Sequence, residues 1–237
     1  MTLTHIGHSG FALSCSEVTI IFDYYTDPAG VIDSILSQAR QVYVVVSHSH
    51  RDHLCHDIFS WVNRYNIERY IIANECRRKL MRSLDFTALP ITFIRHDEDY
   101  SDGNLNIHAF DSTDAGLCYL LDFNNFRIFH AGDFTCWHFS DDLPPGAVKK
   151  AMGDFHANLS RITAYTPHID VAMMPVVPNI GGDWAYGPRK FLHDIRVDTF
   201  IPMHTWGRDR EATQWHLYQN PDYGRCVFLA DGQSLKL

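Results

Sequence analysis

The chain has 237 residues, with 20 Lys and Arg against 28 Asp and Glu and a net charge of −8. That length supports a core without covalent staples, and the acidic balance disfavours a surface built to neutralise a nucleic-acid backbone. Six cysteines without a C-x-x-C pair indicate reduced thiols and no disulfide framework. With no basic leader and no long apolar run, a cytoplasmic protein without a membrane partner is expected.

In chain order, residues 10–15 and 18–23 read as strands joined by a tight turn. The β-branched run at 42–46 lacks polar alternation and reads as a strand covered on both faces. The pattern then alternates, with a helix at 57–66, a strand at 69–74 and a helix at 75–84, the βαβα order of a parallel sheet. Strands follow in series at 91–95, 105–110, 116–123 and 126–133, and Asn124-Asn125 fits a hairpin turn. Residues 144–167 place Val148, Met152, Phe155, Leu159 and Ile162 on one helical stripe entered through prolines. The last third returns to strands at 169–174 and 199–203 and helices at 187–195 and 210–219, then a hairpin at 226–237. No low-complexity segment splits the chain, so residues 1–237 read as one domain. Two sheets with helices outside accommodate this order.

Fifteen histidines are the compositional oddity, and their positions carry the chemistry. Behind the valine strand stands VVVSHSHRDHLCHD, residues 44–57, with His48-x-His50-x-Asp52-His53 inside it. Imidazole nitrogens and carboxylate oxygens both ligate zinc-like cations, and a turn leaving a strand aims alternate side chains at one metal and the intervening ones at a second. Asp133 in IFHAGD and His204 in FIPMHTW also follow strands, at the edge where open α/β sheets gather ligands.

The ordered set of H-x-H-x-D-H, a later G-D and a late histidine resembles the metallo-β-lactamase-fold hydrolases over nearly the whole chain. HIGHSGFAL, IIFDYY, SHSHRDH, FHAGDFTCWH and PMHTW are similar to bacterial members near the ascorbate-phosphate lactonase branch. The resemblance implies a four-layer α/β/β/α metallo-β-lactamase-type sandwich and a divalent metal, zinc or manganese, one or two per chain. It implies a metal-activated water acting on an ester, lactone or phosphoester bond of a small molecule. By it, His48 and His50 belong to a first metal site, Asp52, His53 and His204 to a second, and Asp133 bridges them. Asp52 and Asp133 are the candidate catalytic carboxylates.

One position departs from the family pattern. Where these hydrolases carry a further first-site histidine, this chain reads HAFDSTDAG, so either Asp111 or Asp114 substitutes or the first site is weakened. Oxygen in place of nitrogen shifts preference toward harder ions such as manganese. The flavin-dependent di-iron oxidoreductases of the fold have a glutamate where this chain has His50 and carry an added flavin domain, so hydrolysis is expected.

Around this set, His5 and His8 fit either a substrate-orienting or an ordinary loop role. Asp23 could fix a ligating histidine's tautomer or serve as a turn residue, and His138 follows G-D closely enough to reach a leaving group. His130 is expected to pack, His56 to enter a helix, and His96, His168, His193 and His216 to lie on the surface. Residues 179–187, NIGGDWAYG, read either as a mobile loop over a pocket or as a plain connection. The absent first-site histidine also leaves open a non-catalytic metal-binding or ligand-sensing protein. A nucleic-acid phosphodiesterase is a third reading, disfavoured by charge. The tryptophans fit either a small-molecule pocket or a homo-oligomer face.

Overall fold

In the computed structural model, which describes residues 1–85, 87–137, 143–214 and 224–237, two seven-stranded sheets carry the chain. Each sheet belongs to its own unit, one formed by Met1–Arg95 with Leu229–Leu237 and the other by His96–Phe228.

The first unit opens with β1 (Thr2–Gly7), β2 (Gly10–Cys15) and β3 (Val18–Phe22), an antiparallel meander. Helix α1 (Ile32–Gln38) then crosses to β4 (Gln41–Val46), which pairs parallel with β3. A 3-10 helix (His56–Asn63) leads to β5 (Ile67–Ala73), and α2 (Arg77–Leu80) leads to β6 (Ile91–Ile94), both strands parallel to β4. Val42 to Val46 are all at most 1% exposed, as expected of a parallel strand covered on both faces.

The second unit repeats this plan. Strands β7 (Asp99–Ser101), β8 (Asn106–Asp111), β9 (Leu117–Phe123) and β10 (Phe126–His130) form an antiparallel meander. Asn124 and Asn125 both take positive φ at the hairpin turn, the conformation Asn tolerates best there. Helix α3 (Pro145–Tyr165), β11 (His168–Pro175), α4 (Tyr186–Asp194), β12 (Arg196–Met203), α5 (Asp209–Ala212) and β13 (Arg225–Cys226) follow, with β10 to β13 parallel. On α3 the expected stripe is buried at Phe155, Leu159 and Ile162. The chain then returns to the first sheet as β14 (Ser234–Lys236), antiparallel to β1.

Three expectations change. The helix expected at 57–66 is the 3-10 helix, in which Ile58 and Trp61 bury at a spacing of three, the period of that helix. The helix expected at 75–84 shrinks to a 3-10 turn and α2, because only Cys76 and Leu80 are buried while Arg77, Arg78 and Lys79 stay solvated. The C-terminal hairpin does not form: β13 pairs with β12 and β14 with β1, so the two strands complete different sheets. Edge strands offer whole rows of unpaired N–H and C=O groups, and these outcompete a local turn. Of the helix expected at 210–219, residues 215–219 lie outside the described residues. All six cysteines are free thiols, and no helix among the described residues is long and apolar enough to cross a membrane.

The first unit carries a built-in alkaline sensitivity. Tyr70 is fully buried and donates its hydroxyl to the Ile58 carbonyl at 2.8 Å; burial pushes its pKa from 10.0 up to about 12. Burial, with the Asp27 carboxylate second, pushes Tyr24 up to about 12 as well. A raised folded-state pKa gives stability that is whole below the unfolded value and disappears as pH climbs through the folded one. The thermal midpoint should therefore fall between pH 10 and about 12, in step with phenolate absorbance; a flat midpoint across that window would contradict the assignment.

Candidate metal centre

In the first unit the donors hang on strand ends. Asp23 follows β3 directly, and Ser47 and His48 follow β4; all three are at most 1% exposed. The Asp23 carboxylate accepts the Ser47 backbone N–H at 2.7 Å, the Ser47 hydroxyl at 2.6 Å and His53 Nδ1–H at 2.8 Å. Since the Ser47 hydroxyl spends its proton on Asp23, its oxygen accepts from His48 Nδ1 at 2.9 Å. One carboxylate therefore fixes two tautomers: His48 and His53 both carry their proton on Nδ1, and each presents Nε2 as the lone-pair atom.

The ligand-type atoms of this unit lie at coordination spacing. His48 Nε2 faces His50 Nδ1 at 3.0 Å, and Asp52 Oδ2 lies 3.2 Å from His8 Nε2 and 3.7 Å from His53 Nε2. Cations bound at 2.0–2.2 Å in tetrahedral or octahedral shells have donor-to-donor edges of roughly 2.8–3.6 Å. The donor set and spacing thus fit a divalent metal. The loop is clamped from outside, where Glu75 accepts the Ser49 N–H at 2.5 Å and the Ser49 hydroxyl at 3.1 Å and Lys79 donates to the Ser49 carbonyl. His5 Nε2 donates to the His8 carbonyl at 3.1 Å, which steadies the turn holding His8.

The second unit presents Asp133 and His204, each 4% exposed, with His204 Nε2 3.3 Å from Asp133 Oδ1. Gly132 takes φ +51° to turn the chain, and its N–H donates to the buried His130 Nδ1 at 3.2 Å. His130 thus packs as expected while also setting the turn. The His204 ring has two edge-on neighbours, Trp137 at 6.1 Å and Trp206 at 5.4 Å.

Backbone strain gathers at the same places. Among the described residues, non-glycine positive φ occurs at turn positions and at His8, Asp23, His204 and Trp206. A left-handed conformation costs an ordinary residue about 1 kcal/mol or more and persists where the surroundings enforce it, often at functional sites.

The expected replacement ligands are not brought to this set. Asp111 Oδ2 lies 3.5 Å from Arg161 Nη1 and 3.9 Å from His96 Nδ1, a half-exposed ion pair. Asp114 is exposed, and neither residue joins a metal-competent cluster among the described residues. His138 lies outside the described residues, as does His216. The 179–187 segment contains a 3-10 turn (Pro178–Ile180) and the start of α4. The sequence alone gives no signal for Ser47, Glu75 or Thr113, because an isolated polar residue has no spacing pattern of its own. At the starts of β11 and β12, His168, Asp170 and Asp198 also cluster, but Arg196, His168 and the Arg127 backbone N–H already answer those carboxylates.

Buried imidazoles with fixed tautomers, set beside carboxylates at the strand ends of mixed sheets, define a metal-dependent hydrolase of the metallo-β-lactamase class. Residues 2–144 match the family described as the beta-lactamase superfamily domain, and the chain belongs to that superfamily. A UPF0173 metal-dependent hydrolase of Desulforamulus reducens is 26% identical over 224 residues, 87% of this chain and 86% of the relative. The metallo hydrolase Igni18 of Ignicoccus hospitalis matches with a TM-score of 0.68 at 15% identity, over 99% of this chain and 97% of that one. YhfI of Bacillus subtilis, a metallo-β-lactamase fold protein, gives 0.66 at 10% identity, over 99% and 98%. CmlA, a diiron β-hydroxylase of Streptomyces venezuelae, gives 0.69 at 12% identity, with this chain spanning 54% of it. At such identities the structural likeness shows the fold, which is the metallo-β-lactamase-type α/β fold expected from the sequence.

Proposed function

We propose that residues 1–237 act as one cytoplasmic metallohydrolase that cleaves an ester, lactone or phosphoester bond of a small molecule. The proposed metal ligands are His48, His50, Asp52, His53, Asp133 and His204, and the cation is zinc or manganese. The observation that carries this reading is the double tautomer lock by Asp23, which turns two buried imidazoles into lone-pair donors. A divalent cation held there supplies an acidified water and positive charge opposite a developing oxyanion.

The chain's own groups then divide the remaining work. Asp52 and Asp133 are the carboxylates that hold and pass the water's proton. His8, whose Nε2 lies 3.2 Å from Asp52 Oδ2, orients that carboxylate. Residues 111–114 contain no histidine, so the second site (Asp52, His53, Asp133, His204) is the tight one.

Elemental analysis of protein purified without chelator tests this. Wild type should carry metal, His204→Ala should lose it, and His48→Ala should keep most of it. Wild type that stays metal-free after zinc or manganese is supplied would sink the ligand assignment, and two equally tight metals per chain would overturn the one-tight-site reading. A panel of generic esters, lactones and bis-aryl phosphates, assayed with the retained metal, then separates the bond classes.

A further inference from the structure

Thr113 lies within the stretch where the family resemblance places a further imidazole, yet its side chain binds backbone. The hydroxyl oxygen accepts the Thr135 N–H at 3.0 Å and donates to the Thr135 carbonyl at 2.6 Å, with the Asp133 carbonyl at 3.3 Å. A hydroxyl suits this task because it offers one donor and two acceptor lone pairs from a single atom. An imidazole separates its donor and acceptor across a ring and cannot meet both groups of one residue.

The brace is anchored at its own base. Asn158 on α3 donates to the Ser112 carbonyl at 3.1 Å, and the Ser112 N–H donates to Gly116 at 3.2 Å. Helix α4 presses on the same segment: a Cβ on Gly187 would lie 2.5 Å from Thr135 Oγ1 and 2.9 Å from the Cys136 nitrogen, so only glycine fits there. Trp137 Nε1 adds a bond to the Asp133 carbonyl at 2.7 Å. Residues 131–137 are therefore fixed from α3, through Thr113, and from α4.

We infer that Thr113 is the positioning residue of the Asp133 loop, its hydroxyl bracing the backbone on which that carboxylate is mounted. The inference rests on the reading of Asp133 as a metal ligand.

The test compares Thr113→Val, Thr113→Ser and Asp133→Ala. In the metal-free protein, exchange of the Thr135 amide hydrogen should accelerate in Thr113→Val and return toward wild type in Thr113→Ser. Zinc affinity by calorimetry should fall about ten- to a hundredfold in Thr113→Val, the usual cost of losing a group that orients a ligand, and recover in Thr113→Ser. Unchanged exchange and affinity in Thr113→Val, or failure of Thr113→Ser to restore them, would overturn the inference. Should Asp133→Ala keep its zinc, the ligand reading fails instead, while the exchange data still decide whether Thr113 braces the loop.

Discussion

Asp133→Ala protein, purified without chelator, is expected to hold under about a hundredth of the wild-type metal and to lose hydrolytic activity by roughly a thousandfold or more. Asp133 is a carboxylate 4% exposed, beside an imidazole that is equally buried. The bonds from Thr113 and Trp137 use the backbone carbonyl of residue 133, which alanine keeps, so the metal-free variant should fold and unfold near the wild-type midpoint. Loss of metal with a preserved metal-free midpoint separates ligation from collapse. Wild-type metal content in this variant would remove Asp133 from the ligand set.

The second large effect is expected at Asp23, which touches no proposed metal position yet sets two ligands. Asp23→Ala leaves the Ser47 N–H and His53 Nδ1–H without their buried acceptor, and each orphaned group costs about 1–3 kcal/mol. It also puts alanine at φ +39°. Asp23→Asn removes that second contribution, because asparagine accepts the left-handed region more readily. Asp23→Asn should therefore unfold at higher urea than Asp23→Ala while still losing about ten- to a hundredfold in metal affinity, because the tautomer lock needs a full acceptor. Ser47→Ala removes both the hydroxyl bond to Asp23 and the acceptor of His48 Nδ1–H and should cost about 1–3 kcal/mol with most metal retained. Wild-type affinity in Asp23→Asn would show that the lock does not matter.

Most elements were legible locally because one period dominates each of them. The unbroken β-branched run of β4 and the stripe of α3 needed no partner to be read. CVFLADGQSLKL has hairpin chemistry, yet its pairing is decided by two distant sheet edges. The helix expected at 57–66 erred in type because spacings of three and four overlap in so short a stretch.

The sequence by itself offers the candidate donors and their order, His48, His50, Asp52, His53, Asp133 and His204, because residue chemistry and position after three strand-like runs are both properties of the sequence. The family resemblance, set against residues 111–114, implies an imidazole that this chain does not carry there. Tertiary structure decided what that gap contains. Asp111 faces Arg161, while Thr113 reaches Thr135, 22 residues on. It likewise made Asp23 the shared lock of two histidines 25 and 30 residues away. A hydrogen bond is set by ångström-scale position and direction, which only the packed sheets fix.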